Sequence, residues 1–179
     1  MKNKNKLLKL ARESIKSFLE EKKLEIPEEI KREFSEKKAS FVTLKINNNL
    51  RGCIGTLFPT KELWRDVSEN AINAAFKDPR FFPLTKEEFE KIKIEVSILS
   101  LPKKIDYKDI KDLKRKIKGK GVILSYSFYS ATYLPQVWEE IKDEEQFLSS
   151  LCLKAGLPSN FWKTNKLEIL TYEVEKISE

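Results

Sequence analysis

The chain has 179 residues, 40% of them apolar and 35% charged, with a formal net charge of +7 and a pI near 9.2. This balance predicts a soluble globular domain, of one body or two lobes, and no apolar run approaches the roughly 20 residues that a membrane crossing needs. The complete absence of histidine excludes a Ser-His-Asp triad, a Cys-His dyad and histidine-ligated zinc or iron, and two cysteines are too few for a four-thiolate metal site or a disulfide framework.

In chain order, Leu7, Leu8, Ala11, Ile15, Phe18 and Leu19 recur at helical spacing and predict an amphipathic helix over residues 4–23. Its lysine-interleaved start lacks the continuous apolar segment of a signal peptide, so a cytoplasmic protein is expected. Pro27 opens a short helix carrying Ile30 and Phe34. From Ser40 the period becomes two, with Val42, Leu44 and Ile46 alternating against Thr43 and Lys45. Asn47-Asn48-Asn49 suits a turn with positive φ, so residues 40–56 read as a hairpin.

Thr60 is placed to cap a helix over 60–77 whose stripe is Leu63, Trp64, Val67, Ala71, Ala74 and Ala75. Asp78-Pro79-Arg80-Phe81 stops it, and Thr85-Lys86-Glu87-Glu88 fits a capping box. Residues 92–99 alternate cleanly and form a strand. A helix over 107–118 with a lysine-rich face follows, then strands at Val122–Tyr126 and Ala131–Leu134. Phe147, Leu148, Leu151 and Cys152 share a helical stripe, which makes Cys152 a core residue, and Gly156 with Pro158 ends that helix. A last strand covers Leu167–Tyr172. The mixture argues for α+β, with a largely antiparallel sheet containing 40–46, 50–56 and 92–99 packed on the helices at 4–23 and 60–77.

The chemistry concentrates in Leu50-Arg51-Gly52-Cys53-Ile54-Gly55-Thr56, which holds two of the five glycines and one of the two cysteines. As a plain strand, Leu50, Gly52, Ile54 and Thr56 share one face, and Arg51, Cys53 and Gly55 the other. A guanidinium beside a cysteine favours thiolate, the reactive form. Glycine within a strand marks a bulge or a close backbone approach. The same residues also describe a small buried cysteine beside a glycine kink, with Arg51 as a surface charge.

Five landmarks occur together: Leu50–Thr56, Asp78-Pro79-Arg80-Phe81, Glu95-Val96-Ser97, Leu134-Pro135-Gln136-Val137-Trp138 and Lys154-Ala155-Gly156-Leu157-Pro158. In order and spacing the chain resembles the AMMECR domain family, named for a chromosomal region deleted in a syndrome with Alport features, midface hypoplasia and elliptocytosis. The resemblance covers nearly the whole chain. It implies a single domain, residues 1–179, of two unequal lobes with a cleft beside Arg51-Gly52-Cys53-Ile54-Gly55. Prokaryotic members accompany a radical S-adenosylmethionine protein and a Memo-like protein, which implies a place in a modification pathway. This chain lacks the cysteine triplet of a radical enzyme and fits only the accessory role. The family resemblance names no activity, cofactor or metal. One departure lies at Ser125–Thr132, where the family turn carries a glycine and this chain has none.

Three readings of function are open to these residues. In the first, an enzyme or enzyme partner uses Cys53 as nucleophile or redox thiol and Glu95 as the carboxylate base, with Arg51 holding an anion and Gln136 as a further polar contact. In the second, a non-catalytic module binds an anion through the backbone around Gly52 and Gly55, with Arg51 as a fork. Asp78 and Arg80 fix the loop in either case. The third is nucleic-acid binding through Lys114, Arg115, Lys116, Lys118 and Lys120. It is disfavoured because lysine far outnumbers arginine and no recognition motif is present.

Overall fold

The computed structural model describes residues 5–179, so the helix start expected at residue 4 lies outside the described residues. Two antiparallel systems form, each with its own core. The first unit runs to Leu101 and takes back Glu175–Glu179; the second is Pro102–Val174.

In the first unit, α1 (Asn5–Leu19) and α3 (Leu63–Phe76) lie on a four-stranded sheet of order β2-β1-β3-β8. These strands are β1 (Ser40–Ile46), β2 (Asn49–Gly55), β3 (Lys93–Leu99) and β8 (Val174–Ser178). The core is what the two periodicities dictate: Leu7, Ala11 and Ile15 from α1, Val67, Ala71 and Ala74 from α3, and Val42, Leu44, Ile94 and Val96 from the sheet. Short helices α2 (Glu28–Glu33) and α4 (Lys86–Phe89) complete it. The helix expected to start at a Thr60 cap instead begins at Leu63. Its N-cap is Glu62, which makes no side-chain cap bond. The expected capping box is present in full, with Thr85 as N-cap and Glu88 reaching back to the Thr85 N–H.

The β1–β2 turn follows from its asparagines. Ile46 pairs with Asn49, and the two residues between them, Asn47 and Asn48, both take left-handed φ values of 51° and 65°. Positive φ at both central positions gives the turn whose twist matches flanking strands.

The second unit stacks β4 (Lys103–Lys104), β7 (Glu168–Tyr172), β5 (Gly121–Tyr126) and β6 (Tyr129–Tyr133) in that order. The sheet carries α5 (Ile110–Ile117), α6 (Val137–Glu140), α7 (Glu144–Lys154) and α8 (Phe161–Thr164). Its core joins Leu113, Ile117, Val122, Leu124, Phe147, Leu151, Trp162 and Ile169. Cys152 is fully buried there, as its helical stripe predicts. Gly156 takes φ 85°, and the Leu157 N–H closes back on the Cys152 carbonyl at 2.9 Å, the bond that ends a helix on a left-handed residue. The sequence reading missed β4 and β8: two residues and an edge strand of charged residues carry little periodic signal. No described helix is long and apolar enough to cross a membrane.

Candidate functional site

The strand that carries Arg51 and Cys53 is not a plain strand. Leu44 pairs with Gly52, but Lys45 pairs with Leu50, so Arg51 is an extra residue inserted opposite β1. This bulge corrects the simple alternation. Leu50 stands opposite the outward-facing Lys45 and is 42% exposed, instead of joining Gly52 and Ile54 against the helices. A bulge bends the strand and re-aims a side chain. Here it turns Arg51 out over the sheet edge, where Nε and Nη2 each bond a Glu88 carboxylate oxygen at 2.8 Å and Nη2 also bonds the Phe82 carbonyl at 2.9 Å.

β2 is an edge strand, and its outward backbone groups at Cys53 find partners in the loop after α3. The Cys53 N–H donates to Asp78 Oδ2 at 2.9 Å, and Arg80 Nη2 reaches the Cys53 carbonyl at 3.4 Å. Asp78 and Arg80 are themselves paired through two bonds of 2.9 and 2.7 Å. Phe81 lies between the two arginines, with the Arg51 and Arg80 guanidinium carbons 5.6 and 5.5 Å from its ring centre. Side chains of one landmark thus stand in for the missing neighbour of another, a standard need of sheet edges.

The two glycines answer to packing. A Cβ at Gly52 would stand 2.1 Å from the Ala74 carbonyl oxygen of α3, and one at Gly55 would stand 2.2 Å from the Phe41 ring. The close approach expected of a strand glycine is therefore present at both, and helix backbone and an aromatic ring fill the two places.

Across the sheet, Thr43 faces Cys53 on one side and Glu95 on the other. Thr43 Oγ1 lies 3.2 Å from Cys53 Sγ. Glu95 bonds Lys45 at 3.0 Å and Lys176 at 2.7 Å. Burial pushes the Glu95 pKa up, but the hydrogen bonds from Lys176 and Lys45 outweigh it and hold the carboxyl below its ordinary value. Burial pushes the half-buried Cys53 thiol up, against smaller opposing effects of Thr43 and Arg80. The cation that acts on this thiol is Arg80; Arg51 is spent on Glu88, whose pKa its hydrogen bonds lower to about 2. Sequence reasoning missed Glu88 as Arg51's partner, although its capping-box position was visible. Arg51 Nη1 is buried with no hydrogen-bond partner among the described residues, and so is Gln136 Oε1. Gln136 belongs to the second unit, just before α6, where Trp138 stacks on Phe147 at 3.9 Å.

No group of three or more acidic or cysteine side chains suited to a metal occurs among the described residues. Of the lysines considered for nucleic acid, Lys114, Lys116 and Lys118 are ion-paired to Glu145, Asp112 and Glu144.

The AMMECR1 family model matches residues 8–177. The chain belongs to the AMMECR1 family. Similar relatives include protein NEQ441 of Nanoarchaeum equitans, 44% identical over 93% of this chain and 95% of that protein. Protein MJ0810 of Methanocaldococcus jannaschii is 42% identical over 96% and 88%. The crystal structure of the uncharacterized protein PH0010 from Pyrococcus horikoshii superposes with a TM-score of 0.87 at 37% identity, covering 97% of this chain and 89% of that one. Fold and family therefore agree with the expectation from the five landmarks. In this AMMECR1-family chain, two of those landmarks meet, the glycine-cysteine strand and the Asp-Pro-Arg-Phe loop.

Proposed function

We propose that this AMMECR1-family protein is a cytoplasmic accessory factor that acts by binding a small acceptor-bearing group, a carboxylate or phosphate, at Arg51, with no covalent step at Cys53. The observation that carries the reading is the buried Arg51 Nη1, a cationic donor without an acceptor. Such a donor costs stability until something accepts from it. Three further features support binding over catalysis. The Cys53 thiol is pushed up, so little thiolate exists at neutral pH. Glu95 is held in its charged form by two lysines and is a weak base. No histidine is present to replace it. By family resemblance, the pathway served is a modification pathway with a radical S-adenosylmethionine protein and a Memo-like protein as partners.

The test is a thermal-shift comparison with inorganic phosphate, ATP and S-adenosylmethionine. A ligand at 100 times its dissociation constant adds about 2.7 kcal/mol of stability. At least one should raise the melting temperature of the wild type and of Cys53→Ala equally, and leave Arg51→Met unmoved. A shift lost in Cys53→Ala and kept in Arg51→Met would favour the thiol enzyme.

A further inference from the structure

The segment from Gly121 to Trp138 contains no charged residue, in a chain where 35% of residues are charged. Much of it needs no charge because it is core: Val122 and Leu124 are fully buried. Its tip is not core. The β5–β6 turn reads Ser125-Tyr126-Ser127-Phe128-Tyr129-Ser130, and Tyr126, Phe128 and Tyr129 are 40%, 101% and 48% exposed. We propose that this hairpin tip is a protein-docking knob whose occupant is a concave, uncharged apolar pocket on another protein.

Three observations support that occupant. The first is preorganisation. Tyr126 is braced edge-on by Phe161 at 4.8 Å between ring centres, and the Tyr129 ring lies against Gly156, whose added Cβ would sit 3.4 Å from it. Ser125 and Ser130 bond hydroxyl to hydroxyl across the strands at 3.1 Å. Phe128 is thus offered from a fixed base, which lowers the ordering cost of binding. The second is the turn geometry. Ser127 takes the left-handed φ of 53° that closes the tight turn, and the next residue, Phe128, is left fully exposed at its tip. The third is composition. Tyrosine, phenylalanine and serine without charge are what protein-contacting loops use, whereas interface cores are depleted of lysine and acid. A phosphate backbone or an anionic lipid surface demands cations, and the tip has none. A second copy in a two-fold dimer would meet the tip with the same protruding tip, and not with the recess that a protruding ring fills.

The test places a benzophenone photocrosslinking residue at position 128 of the full chain in its native cells, with Lys118 as control position. The expected result is one adduct with a protein other than this chain. That protein, once purified, binds the wild type at least tenfold more tightly than Phe128→Ser, with the melting temperature unchanged. Ser127→Gly, which keeps the ring, binds within threefold of wild type. An adduct with a second copy, an adduct with lipid, no adduct, or Phe128→Ser binding within twofold of wild type each overturns the proposal.

Discussion

Arg51 holds the edge of the first sheet through a bidentate bond to Glu88, and this bond fixes its own pH range. Glu88 is lowered from 4.5 to about 2 by Arg51, so between those values the unfolded chain binds more protons than the folded one. Stability from this pair is complete above pH 4.5 and is lost as pH falls towards 2. Urea midpoints measured from pH 6 to pH 2 should fall in that window, and Arg51→Met should flatten the Glu88 part of the fall. At pH 7 Arg51→Met should cost about 1–3 kcal/mol, because Glu88 and the Phe82 carbonyl lose a charged donor. An unchanged slope would show that the pair contributes nothing in solution. Cys53 behaves in the opposite sense. Its raised pKa predicts slow iodoacetamide labelling at pH 7, with a rate that is still climbing at the ordinary thiol value of 9.0 and levels off only above it. Cys152, at 0% exposure, should label only on unfolding.

At the scale of elements, the turns and the bulge decide what the strands present. Ser127→Gly should stabilise the chain by about 0.5–1 kcal/mol, since it removes a left-handed serine. Gly52→Ala should cost about 2–3 kcal/mol, because the new methyl meets the Ala74 carbonyl of α3, which is backbone and moves only with its helix. Thermal melts of both variants give the two signs, and a neutral Gly52→Ala would contradict the close strand–helix packing. These same features mark where the sequence was legible. Val42, Leu44, Ile94 and Val96 announced β1 and β3 because they pack one face of a sheet, and period two is the mark of that. The capping box at Thr85 and the paired asparagines were readable because each is a local backbone need. The bulge at Arg51 was not, because inserting one residue leaves the residue types unaltered and moves only the register. Arg51 and Cys53 were found as a place, but their partners Glu88 and Asp78 lie in another segment, and long-range pairing has no local signature. Two lobes were expected, but the return of the chain's far end to the first one, where β8 joins β3, was hidden for the same reason.

For the whole molecule, the decisive feature is the order of the chain, in which the second unit interrupts the sequence of the first. Every strand of its sheet and its buried cluster comes from Pro102–Val174. Its two ends are adjacent, because Lys103 pairs with Thr171 and Lys104 with Leu170. A unit with a continuous chain, its own core and neighbouring ends is an insertion that can be cut out. The first unit is different. It needs the C-terminal residues: Arg12 holds the Glu179 carboxylate at 2.9 and 2.5 Å, and the Ile94 N–H donates to it at 3.0 Å. The excised fragment 102–174 should therefore unfold cooperatively with dispersed amide signals, though with low stability, since small domains bury a lesser share of their surface. A fragment ending at Leu101 should be loosely folded, and joining residue 101 to residue 175 through a short Gly-Ser linker should restore a cooperative melt. Replacing Glu179 by Ala in the joined fragment should lower its midpoint, because two arginine bonds and one backbone bond vanish together. If fragment 102–174 gives the collapsed amide spectrum of a disordered chain, the two cores are one cooperative structure. In that case the second unit needs the first in order to fold.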